Sequence, residues 1–261
     1  MSRGGRVGVL GVGLDRISAE ALHEEIPRLA RRRGGVVLNV NAYCLNLLHE
    51  DRELRNFFAA ADVVFCDGAG VRLAARLLGD RLPERITYAD WFPRLASLAE
   101  RRGLSLFCLG ARPGVAEEAV SRLLRSHPDL KIAGVRHGFF DHRAGSPENE
   151  AVVAEINAAR PDVLVLGLGM PLQECWLMEN RRRLDFGVAL TGGAVFDYAS
   201  GRLRRGPRFL TDNGFEWLAR LLVEPRRLWR RYLLGNPLFL ARVLAQRWRA
   251  DVESQKNDKC N

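Results

Sequence analysis

Short apolar, β-branched runs alternate with longer amphipathic stretches almost to residue 200. Runs at 7–12, 35–40, 62–66, 104–109, 131–135, 162–167 and 187–191 predict strands, and stretches at 18–33, 69–78, 89–102, 115–127, 147–159 and 172–183 carry helical periodicity. Strands that are apolar on both faces need cover on both. The repeated strand–helix unit therefore calls for an α/β fold, a mostly parallel, Rossmann-like sheet with helices on both faces. In such sheets ligands bind beyond the carboxyl ends of the strands. Glycine and polar residues gather at those ends: Asn39-Val40-Asn41, Asp67-Gly68-Ala69-Gly70, Gly110 to Gly114, Gly167-Leu168-Gly169 running on to Gln173-Glu174, and Thr191-Gly192-Gly193. Glycine serves any tight turn, and it also lets backbone approach a ligand. Each following helix offers unpaired N–H groups to an anion, so this edge suits a phosphate-bearing molecule.

Past residue 200 the strands stop. Three Arg-rich stretches, 214–223, 225–234 and 237–250, read as helices, two of them opened by Pro225 and Pro237. The chain thus divides into an α/β body over 1–200, a basic helical appendage over 201–250 and a polar, frayed tail over 251–261. Charge sharpens this division. Residues 202–250 hold twelve Arg against three acidic residues, an excess of nine that equals the +9 net charge of the 261-residue chain. With 47% hydrophobic and 27% charged residues, the composition excludes a disordered chain and a disulfide mini-scaffold. The five Cys form no Cys-x-x-Cys pair and fit a reducing cytosol. No apolar run reaches the ~18–20 residues of a membrane span, and the N-terminus lacks the apolar core of a signal peptide.

Asp67 follows an apolar strand directly and precedes a glycine. There its carboxylate either accepts a proton from an attacking hydroxyl or forms an Asx turn or helix N-cap. Gln173 and Glu174 open a helix, where they either hydrogen-bond a sugar or nucleotide or, for Glu174, complement the helix dipole. Gly11-x-Gly13 and Gly167-x-Gly169 leave the dinucleotide fingerprint incomplete. His137 and His142 lack the spacing and acidic partners of a zinc site, and the chain has no Asp-x-Asp pair to hold a divalent ion. No metal or other cofactor is expected, and a departing diphosphate would meet arginines and helix N-termini instead. In the stretch Arg226-Arg227-Leu228-Trp229-Arg230-Arg231-Tyr232-Leu233, a turn of ~100° per residue places the four Arg in one sector and the apolar residues opposite. Such a helix suits an anionic bilayer surface; the alternatives are a helix packed on the body with a solvated basic face, or a nucleic-acid stripe. The aromatics lie opposite the Arg rather than among them, which favours membrane over nucleic acid.

In their order from about residue 36 to about residue 236, these motifs resemble the WecG/TagA/CpsF glycosyltransferases, glycosyltransferase family 26. The resemblance rests on Asn39–Asn41, Asp67-Gly68, Glu84-Arg85-Ile86-Thr87, Leu109–Gly114, Gly167–Glu174 and Gly192–Asp197. It continues in Glu216-Trp217-Leu218-Ala219-Arg220, Glu224-Pro225-Arg226-Arg227 and Arg230-Arg231-Tyr232. It implies an inverting, metal-independent transfer of a sugar from a UDP-sugar to a polyprenyl-diphosphate-linked acceptor in cell-surface polymer or exopolysaccharide assembly. It also implies a cytoplasmic protein bound to the inner face of the plasma membrane, with the appendage touching the bilayer and completing the active site. By motif, Asp67 becomes the general base, Asn41 and Gln173 sugar contacts, and Arg85 a diphosphate contact. Gly110, Gly167 and Gly169 would frame the nucleotide, and Arg220, Arg227 and Arg230 would meet charge on UDP or the lipid diphosphate. Asn39, where the family usually has Thr, and Tyr88, where it has Gly, fall near the expected sugar pocket and bear on which sugar is used. Leu172 and Gly206 also depart, standing where Lys and Ala are usual. No nucleic-acid partner is expected; off the membrane, the apolar helix faces offer a route to homo-oligomers. The rival readings are a nucleic-acid-binding module and a nicotinamide-dependent oxidoreductase.

Overall fold

A computed structural model describes residues 4–211 and 214–258. Within them β1 (Gly4–Val9) and β2 (Val12–Arg16) form an antiparallel hairpin. The strands β3 (Gly35–Val40), β4 (Val63–Cys66), β5 (Ser105–Gly110), β6 (Lys131–Arg136), β7 (Val163–Gly167) and β8 (Val188–Thr191) form a six-stranded parallel sheet in the order β4-β3-β8-β7-β5-β6. Successive residues of a strand face opposite sides. Val36, Leu38 and Val40 accordingly enter one core cluster and Val37 the other. Helices Ala19–Arg32, Tyr88–Arg102 and Val115–Ser126 cover one face. Helices Ala42–Glu50, Arg52–Ala59, Ala69–Leu77, Pro147–Ala159 and Leu172–Asn180 cover the other. The α/β architecture with helices on both faces is the one the hydrophobic pattern calls for.

Two departures have local causes. The apolar run 7–12 is not one strand, because Leu10 and Gly11 take φ of 51° and 79° and reverse the chain between Val9 and Val12. Two successive residues at positive φ make the tight turn that matches strand twist. Val7, Val9, Leu10, Val12 and Leu14 are all buried, so nothing in hydropathy marks the reversal. The helices Ala42–Glu50 and Arg52–Ala59 are also unannounced by the pattern; each starts at a side-chain cap, Asn41 accepting from Cys44 N and Asp51 from Leu54 N.

The Arg-rich segment folds as helices Glu216–Val223 and Pro225–Trp229, a π-helical turn over Arg230–Leu234, and a long helix Gly235–Asp258. That last helix runs past residue 250, where the frayed tail was expected to begin, and Cys260 lies outside the described residues. It buries Phe239 and Val243, and Gln246 Oε1 accepts from Leu10 N at 2.8 Å, capping the hairpin turn. Arg242 donates to the backbone and side-chain oxygens of Asn46, both at 3.1 Å. The expected two-sided pattern over 226–233 is broken: Leu228 and Tyr232 face the body, Trp229 and Leu233 face outward with Arg226, Arg227 and Arg230, and Arg231 turns inward. The buried sector is centred on Leu228: at ~100° per residue Arg231 and Tyr232 fall about 60° and 40° to either side of it, while Trp229, Leu233 and Arg230 fall about 100° or more away. Among the described residues no helix is long and apolar enough to cross a membrane.

The register places the site. Asn39 lies opposite Phe65 and Val40 opposite Cys66, while β8, on the other side of β3, ends at Thr191. The carboxyl ends of β4, β3 and β8 are therefore adjacent, and Asp67 follows the first of them directly.

Candidate active site

Asp67 is fixed from below. Its backbone N–H donates to Val40 O at 2.9 Å, and Asn39 Nδ2 donates to Asp67 Oδ2 at 2.9 Å. Asn39 Oδ1 in turn accepts from Thr191 Oγ1 at 3.4 Å. Asp67 is not a helix cap: the helix Ala69–Leu77 begins at Gly68 with no side-chain cap bond. Burial pushes the Asp67 carboxyl up to about 7, and the nearby Glu216 carboxylate adds to the rise, while Arg85, Asn39 and Arg220 pull it back. A carboxyl poised there exchanges its proton easily near neutral pH, as a general base must.

Asp67 opens into a cavity of about 730 Å³ between the body and the appendage. The body contributes Asn41, Tyr43, Arg72, Arg76 and Arg85, and the appendage Glu216, Trp217, Arg220, Arg231 and Tyr232. Arg85 joins the two parts, pairing with Glu216 at 3.1 Å and donating to Thr211 O at 3.0 Å. Arg220 lies 6.0 Å over the Tyr198 ring and 3.8 Å from Glu224. The Arg231 guanidinium lies 4.6 Å over the Tyr43 ring, and burial pulls its pKa down from the usual value. Among the described residues no carboxylate stands at ion-pair distance from Arg231, and the Nε atoms of Arg72, Arg220 and Arg231 are buried without hydrogen-bond partners. A buried cation lacking its partners is costly, and an anion in the cavity removes that cost.

Beside this cavity lie the glycine loops. Gly110 takes φ +152° after β5, and a Cβ there would collide with the backbone of Gly167 at the end of β7. Ala111 N–H donates to Gly167 O at 3.0 Å, drawing the two loops together. Gln173 Oε1 accepts from Gly169 N at 3.3 Å and from Gly193 N at 3.0 Å, tying the β7 loop to the β8 loop. Its Nε2 donates to Glu174 Oε1 at 2.7 Å. Glu174 is sealed from solvent, its Oε2 has no hydrogen-bond partner, and burial pushes its carboxyl up to about 7. Glu174 does not line the cavity, so of these two perturbed carboxyls only Asp67 can meet a ligand there. Among the described residues no three His, Cys, Asp or Glu side chains gather as metal ligands.

The sequence model of the glycosyl transferase WecG/TagA/CpsF family matches residues 7–253. The chain belongs to the WecG/TagA/CpsF glycosyltransferase family. It is similar to the N-acetylglucosaminyldiphosphoundecaprenol N-acetyl-beta-D-mannosaminyltransferase of Bacillus subtilis (strain 168), 30% identical over 213 residues that cover 82% of this chain and 80% of that one. The protein of the same name from Bacillus spizizenii is 30% identical over 222 residues, covering 85% and 83%. The chain is thus a glycosyltransferase, an enzyme of cell-surface polysaccharide assembly.

In this glycosyltransferase, Asp67, Asn41, Arg85 and Arg220 meet at one cavity, with Asn39 directly beneath Asp67. Gly110, Gly167, Gly169 and Gln173 form the adjoining loops, and Gln173 spends its amide on holding them. Arg227 and Arg230 are elsewhere: Arg227 pairs with Glu224 at 2.8 Å and Arg230 stacks 5.2 Å over Trp229, both exposed and neither lining the cavity. Arg231 occupies the inward position instead. The sequence reading gave no site role to Tyr43, Arg72 or Arg76, nor to Glu216, which it met only within a family motif. Arg72 and Arg76 carried a signal, since they follow Asp67 at one-turn spacing on the next helix; Glu216 and Arg231 reach the cavity only through the appendage's tertiary placement.

Proposed function

We propose that this glycosyltransferase moves a sugar from a UDP-sugar to a polyprenyl-diphosphate-linked acceptor, with inversion and without a metal. The observation that carries this reading is the pairing, in one cavity, of a carboxyl poised near 7 with arginines that lack full partners. Asp67 takes the proton of the acceptor hydroxyl as that oxygen attacks the anomeric carbon. The carbon–oxygen bond to UDP breaks on the opposite face, so one displacement inverts the centre. Arg85, Arg220 and Arg231 meet the charge gathering on the departing diphosphate, the role a divalent ion would otherwise take. The loops at Gly110, Gly167 and Gly169 hold the nucleotide. The acceptor class is carried over from the two Bacillus relatives, whose names specify an undecaprenyl-diphosphate-linked N-acetylglucosamine.

In this reading, residues 1–200 are the catalytic body and 201–250 the membrane-binding appendage of a cytoplasmic enzyme at the inner face of the plasma membrane. Exposed Leu222, Val223, Trp229, Leu233, Leu234 and Trp248 stand with exposed Arg226, Arg227 and Arg230, a surface suited to an anionic bilayer and not to nucleic acid. The test offers a panel of UDP-sugars together with a polyprenyl-diphosphate-linked N-acetylglucosamine, in EDTA, and measures UDP release. One donor should support turnover. Release from none of them, with or without added divalent ions, would overturn the reading.

A further inference from the structure

Arg85, Arg220 and Arg231 account for one diphosphate, yet the cavity holds two more arginines. Arg72 and Arg76 belong to the body helix Ala69–Leu77, four residues and about 6 Å apart along its axis. Among the described residues neither has a carboxylate at ion-pair distance, and Arg72 Nε is buried without a partner. The same helix starts at Gly68 with no side-chain cap, so its positive end also faces the cavity beside Asp67. Next to the two arginines the lining turns apolar: Leu73 is 52% exposed and Leu240, across from it on the last helix, 41%. Leu244, one turn beyond Leu240, is 49% exposed and continues this apolar strip to the surface.

We propose that Arg72 and Arg76 hold the diphosphate of the lipid-linked acceptor, while Leu73 and Leu240 receive its first prenyl units. This rests on the proposed sugar transfer to a lipid-linked acceptor and adds a second anion subsite to it. The chemistry of the acceptor fits the helix in order: its hydroxyl at Asp67, its sugar ring along the first turn, its diphosphate at Arg72 and Arg76, its hydrocarbon at the leucines. Guanidinium forks suit paired phosphate oxygens. A prenyl chain leaving over Leu73 and Leu240 would stay beside the exposed apolar residues of the appendage.

The test measures binding, so it does not depend on turnover. Geranylgeranyl diphosphate serves as the probe, read by quenching of tryptophan fluorescence, with UDP and phosphatidylglycerol vesicles as parallel arms. The double variant Arg72→Gln/Arg76→Gln should bind the probe about tenfold or more weakly, the loss of charge-assisted hydrogen bonds, with UDP and vesicle binding unchanged. If that variant does not fold, Arg76→Gln alone, at an exposed position, should weaken the probe by a smaller but measurable factor. Leu73→Ser should weaken the probe and spare inorganic pyrophosphate. Unchanged probe binding in the arginine variants overturns the proposal, as does no binding by the wild type or an equal loss of UDP. A loss confined to vesicles would also overturn it and assign the arginines to lipid headgroups. Arginine-dependent probe binding in an enzyme that releases UDP from no donor would leave this subsite standing and remove the donor assignment instead.

Discussion

The wall formed by the ends of β3, β4 and β8 and the wall supplied by the appendage enclose the same cavity in different ways. On the body side, polar groups are held by hydrogen bonds that run back into the sheet: Asp67 on Val40 and Asn39, Asn39 on Thr191, Gln173 across two loops. On the appendage side, Arg220 and Arg231 rest over aromatic rings and keep buried nitrogens unpartnered. The hydrogen bonds of the first wall are made within the protein and need no ligand to complete them. The second is left with electrostatic demand that a ligand can meet. A base benefits from rigid placement, whereas groups that receive departing charge do most when they bind the transition state better than the ground state.

The largest break in this arrangement should come at the ion pair between Arg85 and Glu216, which joins the walls inside the cavity. Arg85→Ala removes a cavity cation and leaves Glu216 unpaired beside Asp67; transfer should fall about 10²–10³-fold, measured as UDP release, the range seen when one charge-stabilising donor is lost. Next in size is a stability effect confined to the rigid wall. Glu174 has a folded-state pKa near 7, above its ordinary 4.5, so the native form holds a proton that the unfolded form gives up. That advantage is full below about pH 4.5 and is lost as pH rises through 7. Glu174→Gln, which cannot ionise, should gain on the wild type by up to about 3 kcal/mol between pH 5 and pH 8 in denaturant unfolding. A constant difference across that range would mean that the buried carboxyl is not held neutral.

Smaller effects separate the inner from the outer arginines. Arg231→Ala should lower transfer about tenfold with detergent-solubilised acceptor and leave vesicle pelleting intact, the loss of one charged contact. Arg230→Ala should do the reverse. If both variants lose the same function, the division between cavity and exterior fails. The smallest expected change is a shift in pH profile. Glu216→Gln removes the carboxylate that helps raise Asp67 and frees Arg85 to pull it down, so the acid limb of transfer should move to lower pH.

The parallel sheet was legible because strands buried on both faces leave continuous apolar runs; β3 falls at the residues the pattern marks, and β5 and β7 within one or two. The hairpin was not, since a turn made by backbone φ at Leu10 and Gly11, and capped by Gln246 from the far end of the chain, leaves hydropathy unbroken. Asp67 was legible from its position after a strand. Its partner Asn39, 28 residues earlier, reaches it through strand pairing, which no local pattern records. The exchange of Arg230 for Arg231 came from which sector of the helix the body covers: a helical wheel puts Arg231 nearer than Arg230 to Leu228 and Tyr232, but only the tertiary placement decides that this sector is the buried one.

Asp67, its carboxyl pushed up to about 7 by burial, is the base of the proposed transfer. Its most direct test is the pH dependence of UDP-release kcat/KM for the wild type and Asp67→Asn side by side, with UDP binding as the control for folding. The wild type should rise through about pH 7 and level off, while Asp67→Asn should be at least about 10²-fold slower and show no rise there. An Asp67→Asn enzyme that keeps the wild-type rate, or the same rise through pH 7, would contradict the assignment.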